Sequence, residues 1–248
     1  MKLEKGTALV TGGGVRIGRA IAEALAARGC AVLIHYRRSR AEAEGVAAGI
    51  VAAGGKAQTV AGSLDTPASC ATLMRRAFAR APGLSMLVNS ASLFNKDALV
   101  AMTPAGLQRE FQVNLFAPML LTQALALRLR GRGRAGRGAV VNLVDRRVAG
   151  VEAGCAPYLL SKKGLADFTQ IAALELAPWV TVNAVGPGAI LPPPGKGAKA
   201  VRDLAGAAPL AYRCTPGDVA RAVVYLLESD GVTGQTVYVD SGQHLLGS

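Results

Sequence analysis

Thr11-Gly12-Gly13-Gly14-Val15-Arg16-Ile17-Gly18 follows a short apolar run, Thr7 to Thr11, and opens an amphipathic stretch, Arg16 to Arg28. Glycines here permit positive φ and let the backbone approach a pyrophosphate closely. The helix start then offers free N–H groups and a partial positive charge. A glycine-rich turn alone is a weak signal. On the first strand-to-helix turn of an alternating chain it specifies a dinucleotide site on a Rossmann-type sheet.

The rest of the chain supplies that alternation. Strand-length runs at 31–36, 57–61, 84–88, 139–144, 180–185 and 236–239 are separated by helical stretches at 40–53, from Pro67, at 104–129, 157–177 and 218–228. The 104–129 stretch is expected to break near Asn114 and Pro118. This succession predicts right-handed crossovers and a doubly wound parallel α/β sheet of about seven strands with helices on both faces. Composition does not change along the chain, so a single domain is expected over residues 1–248. The least regular segment, about 186–209, is proline- and glycine-rich and reads as a substrate loop.

Composition narrows the function classes. Half of the chain is hydrophobic and only 4% is aromatic, which suits close packing of helices on a parallel sheet. No long uncharged apolar run predicts a membrane span, and the polar start predicts no export. Four scattered cysteines (Cys30, Cys70, Cys155, Cys214) fit a reduced cytoplasmic setting without structural metal. The net charge of +12 is concentrated in part between Arg128 and Arg147, which contains seven arginines and one acid. The tract 131–138 has the composition of RNA-binding arginine-glycine segments. One short loop without aromatics gives no stacking platform, so a solvated loop without specific nucleic-acid binding is favoured.

The end of the second strand decides the cofactor. An NAD site usually carries a carboxylate there to hold the ribose 2′-hydroxyl. This chain has His35-Tyr36-Arg37-Arg38-Ser39-Arg40, with no acid. Guanidinium and hydroxyl groups suit a 2′-phosphate, and Arg16 could reach it from the glycine turn, so NADPH is expected. Tyr158 and Lys162, four residues apart, share one helical face directly after the fifth strand. A lysine cation beside a phenol should lower its pKa and make it a better proton donor.

These motifs in this order resemble the short-chain dehydrogenase/reductase family along essentially the whole chain. The set is the glycine turn, Asn89-Ser90-Ala91-Ser92, Asn114, Tyr158/Lys162 and Pro187-Gly188. The resemblance implies that Tyr158 is the acid, that Lys162 binds the ribose and tunes Tyr158, and that Asn114 positions a relay water. It implies cofactor contacts from Thr11, Gly12, Gly14, Arg16, Ile17, Gly18, Tyr36, Arg37, Arg38, Ser39, Ser63, Leu64, Asn89, Ser90, Ala91, Tyr158, Lys162, Pro187, Gly188 and Ile190. It also implies a homotetramer or dimer.

The departures from the family pattern are informative. Ser63 stands where an adenine-contacting Asp is usual, with Asp65 two residues on. Asp145 stands where the catalytic Ser is usual, thirteen residues before Tyr158. An Asp there resembles the pteridine reductase branch, as do Arg16-Ile17-Gly18, His35 to Ser39 and Ala91-Ser92-Leu93-Phe94. A ketone reductase needs a neutral donor on the substrate oxygen, because a carboxylate would repel the developing oxyanion. A pterin ring presents N–H groups and an imine nitrogen that must gain a proton. A carboxylate can hold the tyrosine hydroxyl and feed that proton. Substrate contacts are then expected from Ser92, Phe94, Asp145 and Tyr158, with Phe94 stacked on the flat ring. A surface aspartate paired with Arg146 or Arg147 is the plain alternative for Asp145. The competing functions are a carbonyl reductase, for example on 3-oxoacyl thioesters, and a non-catalytic NADPH- or RNA-binding protein.

Overall fold

A computed structural model describes residues 3–95, 98–131, 137–192 and 208–246. The strands are β1 (Thr7–Val10), β2 (Ala31–Tyr36), β3 (Ala57–Ala61), β4 (Leu84–Asn89), β5 (Gly138–Leu143), β6 (Val180–Pro187) and β7 (Thr236–Val239). The helices are α1 (Arg16–Ala27), α2 (Arg40–Ala52), α3 (Pro67–Arg80), α4 (Pro104–Phe111), α5 (Ala117–Arg130), α6 (Ala156–Glu175) and α7 (Pro216–Glu228).

The seven strands form one sheet in the order β3-β2-β1-β4-β5-β6-β7, and every neighbouring pair is parallel. Side chains alternate across it, as the pleat requires. Ala8 and Val10 join one core with Ile21 and Leu25 of α1, Val46 of α2 and Val223 of α7. Leu9 joins the opposite core with Leu73 of α3, Leu121 and Leu125 of α5 and Ala172 of α6. The order reverses between β1 and β4, which opens a crevice at their C-terminal ends where an open α/β sheet receives its ligand.

The expected break near Asn114 and Pro118 does not occur. Residues Gln112–Phe116 instead form a π-helical turn that carries α4 into α5 without interruption. Pro118 lies four residues after Asn114 and cannot donate to its carbonyl. The wider turn removes the clash that a regular helix would suffer there. It also turns the buried Asn114 side chain toward the crevice. Most of the segment expected as a substrate loop, residues 193–207, lies outside the described residues, as do 132–136 of the arginine-rich tract.

Candidate active site

The first wall of the crevice is backbone. Gly12 sits at φ +65, and a Cβ there would come within 3.3 Å of Ala91 Cα. A Cβ on Gly18 would collide with the Gly12 carbonyl. Arg16 also adopts a left-handed conformation, at φ 54, which a non-glycine residue rarely holds outside a functional turn. The Thr11 hydroxyl accepts from the amides of Ser90 (2.9 Å) and Ala91 (3.0 Å), fastening the glycine turn to the end of β4. Asn89 donates to Asn142 (2.8 Å), which donates to Thr169 (2.9 Å), a buried chain beneath the crevice floor.

At the β2 end, Arg16, Arg37 and Arg38 are exposed, Tyr36 is half-buried, and Ser39 precedes α2 with no hydrogen bond from its hydroxyl to the helix. The expectation that no acid accompanies these arginines is corrected. The loop after β3 brings Asp65 within 2.9 Å of Arg37 Nη2, because β2 and β3 are neighbours in the sheet. Ser63 accepts from the Asp65 amide at 3.1 Å, while Leu64 is buried in the core. Asp65 Oδ1 and Asn89 Oδ1 are buried and have no hydrogen-bond partner among the described residues. A glycine cradle that a Cβ would fill and exposed arginines fit the phosphates of a dinucleotide, and the two unmatched acceptors suit its N–H or hydroxyl donors. At the other side, the Gly188 amide donates to Val239 O (3.0 Å), and the Ile190 side chain packs into the core.

The second wall is a buried polar network. The Tyr158 hydroxyl donates to Asp145 Oδ2 at 2.8 Å. Arg147 Nη1 approaches the same oxygen at 3.1 Å, and its Nε donates to Glu152 at 2.6 Å. Asp145 therefore contacts both Tyr158 and Arg147, and with its side chain 13% exposed it is not the surface aspartate of the plain alternative. The Phe94 ring meets Tyr158 edge-on at 4.6 Å, and the Arg147 guanidinium lies 5.7 Å from its centroid. Lys162, fully buried, donates to the Leu143 carbonyl at 2.7 Å. Asn114 accepts from Ser92 (3.1 Å) and Leu93 (2.8 Å) and donates to Ser161 (3.1 Å).

Electrostatics here differ from the sequence expectation. Burial, then the Asp145 charge and its hydrogen bond, hold Tyr158 well above the ordinary phenol pKa. The lysine does not offset this, since its ammonium faces a backbone carbonyl and burial lowers its own pKa to about 8. Burial would lower the Arg147 pKa as well, but the Asp145 and Glu152 carboxylates raise it above the usual guanidinium value. Tyr158 thus holds its proton firmly and points it at a carboxylate. A ligand N–H could take its place on Asp145, leaving the phenol to protonate an adjoining acceptor. A developing oxyanion at the same point would meet the Asp145 charge.

Sequence reasoning misses Glu152 and Ser161, and it does not separate Arg147 from Arg146. The two arginines adjoin in an arginine-rich stretch, and only the fold reveals that both approach Glu152 while Arg147 also reaches Asp145.

The family described as Enoyl-(Acyl carrier protein) reductase matches residues 14–244. An uncharacterised oxidoreductase of Mycobacterium tuberculosis is 36% identical, covering 97% of this chain and 93% of its own. A 3-oxoacyl-[acyl-carrier-protein] reductase of Synechocystis is 34% identical, covering 95% of each chain. Among solved structures, FolM alternative dihydrofolate reductase 1 from Brucella canis, complexed with NADP, is 34% identical. It superimposes with a TM-score of 0.92, covering 100% of this chain and 97% of its own.

Proposed function

The chain belongs to the short-chain dehydrogenase/reductase family of oxidoreductases, and from that premise we propose that it is an NADPH-dependent reductase of a pterin or folate ring. The observation that carries this reading is the Asp145 carboxylate on the Tyr158 hydroxyl, in place of a neutral hydroxyl donor. The similarity to a dihydrofolate reductase of this fold, complexed with NADP, supports it.

The glycine turn, Arg16, Arg37, Arg38 and Ser39 hold the dinucleotide, and Asn89, Ser90, Ala91, Pro187, Gly188 and Ile190 line the remainder of its path. Bound NADPH supplies a hydride to a ring carbon. Tyr158 delivers the proton to the adjoining ring nitrogen, Asp145 accepts a ring N–H, and solvent water returns a proton to the phenolate. Arg147 holds the Asp145 carboxylate in place through its guanidinium. Lys162 would hold the ribose of the bound cofactor, and Asn114 with Ser92 would order water behind the phenol. Phe94 stacks on the flat ring. Assembly as a homotetramer follows the family expectation, and light scattering checks it.

The test is NADPH oxidation with dihydrofolate, dihydrobiopterin and an acetoacetyl thioester. Turnover on a dihydropterin or dihydrofolate is expected, with little on the thioester. Turnover on the thioester alone would select carbonyl reduction. That second reading draws on the Synechocystis relative.

A further inference from the structure

We propose that His35 is a positioning residue for the dinucleotide: its buried ring pins the glycine turn that receives the pyrophosphate to the loop that follows β3. His35 lies on β2 and is only 2% exposed, so the ring itself is not a ligand surface. Its Nδ1 lies 3.2 Å from the Gly12 amide, which donates to it. Its Nε2 lies 3.3 Å from the Gly62 carbonyl. The His35 carbonyl accepts from the Gly13 amide at 3.1 Å, so side chain and backbone hold consecutive residues of the same turn. The Gly62 amide in turn donates to Tyr36 O at 3.1 Å, closing the loop back onto the end of β2.

Only one form of the ring satisfies both contacts. The proton must sit on Nε2 and donate to Gly62 O, leaving the Nδ1 lone pair for Gly12. Burial lowers the ring pKa to about 4, so this neutral form prevails at ordinary pH. The neighbours on β2 are Val32, Leu33 and Ile34, and a polar ring among them is costly unless matched. Here both nitrogens are matched, and both partners are backbone atoms of loops that border the crevice. Gly12 is held at φ +65 with its N–H turned inward to His35 Nδ1, and with the Gly13 amide on His35 O the turn is fixed at two consecutive residues.

The proposal rests on dinucleotide binding at the glycine turn and not on the identity of the reduced substrate. The pyrophosphate is common to NADH and NADPH, so His35 should matter equally for both, unlike Arg37 and Arg38. Wild type, His35→Leu and His35→Gln are titrated with NADPH and NADH by nicotinamide fluorescence, with melting temperatures measured alongside. His35→Leu should raise Kd for both cofactors by about tenfold, the cost of one unmatched buried donor. In steady state its KM for NADPH should rise by more than kcat falls. His35→Gln keeps an acceptor and a donor and should recover most of the loss. A lower melting temperature with unchanged Kd, or a loss confined to NADPH, would overturn the proposal. If wild type binds neither cofactor, the premise fails first. Should His35→Leu not fold, the ¹⁵N resonances of His35 in the wild type decide: a bare Nδ1 and protonated Nε2 are expected, and the reverse tautomer overturns the proposal.

Discussion

At the β2 end of the crevice Arg16, Arg37 and Arg38 stand in solvent, and the ion pair of Arg37 with Asp65 is about one-third exposed on each side. At the β5 end Asp145 and Arg147 are paired with side chains only 13% and 16% exposed, beside a buried tyrosine and a fully buried lysine. Exposed charges are screened and act only when a ligand displaces water from them. Buried charges are already oriented, and removing one partner strands the other. The open end is therefore suited to choosing between cofactors, and the closed end to holding protons in defined places.

The largest effect should come from the closed end. Tyr158→Phe removes the proton donor and should lower kcat about a thousandfold, within the range for general acid catalysis. NADPH binding, followed by fluorescence, should change by less than about threefold, well under one charge-assisted hydrogen bond. Near-native kcat would mean that another group protonates the substrate.

The open end should answer with selectivity rather than rate. Arg37→Asp combined with Arg38→Ala should shift kcat/KM toward NADH by about a hundredfold, because both guanidinium partners of the 2′-phosphate disappear and a carboxylate repels it. Melting temperature should fall slightly, because Arg37→Asp replaces the ion pair with Asp65 by two like charges. Equal kcat/KM for the two cofactors in the wild type would remove the reason for these arginines.

Arg147→Met sharpens the contrast, since it deletes a cation from the closed end. It should lower kcat about tenfold, because Asp145 and Glu152 lose the guanidinium that holds both carboxylates in place. Arg147→Lys should recover part of the rate. An unchanged kcat would show that Arg147 only fills space.

The smallest effect is a pH limb set by Lys162. Burial lowers its pKa to about 8, so the ammonium is present below that pH and lost above it. The kcat/KM for NADPH reports the free enzyme and should fall as pH rises through about 8. A flat profile to about pH 9.5 would mean that the lysine charge is not used in binding.

The two ends are not equally legible in the sequence. The glycine turn and the strand-helix alternation can be read because they are local: a turn needs particular φ angles, and a strand needs a run of apolar residues. Tyr158, Lys162 and Asp145 emerge from spacing along one helix and one strand end. Asp65 is visible in the sequence but not as a neighbour of Arg37, since that contact depends on β2 and β3 being adjacent in space. The inward turn of Arg147, the ring of His35 between two loops, and the rise of the Tyr158 pKa all arise from burial and long-range contacts. The π turn at Asn114 is anticipated only as a break, because a proline in a helix marks a disturbance without specifying its form.

The central claim is that a carboxylate at position 145 commits this site to a ring nitrogen rather than a carbonyl oxygen. The most direct test assays wild type and Asp145→Ser with NADPH on dihydrobiopterin and on an acetoacetyl thioester. Asp145→Ser should lose about a hundredfold in kcat on the pterin, the loss expected for one hydrogen bond to a charged group. A wild type inactive on pterins, with Asp145→Ser gaining activity on the thioester, would contradict it.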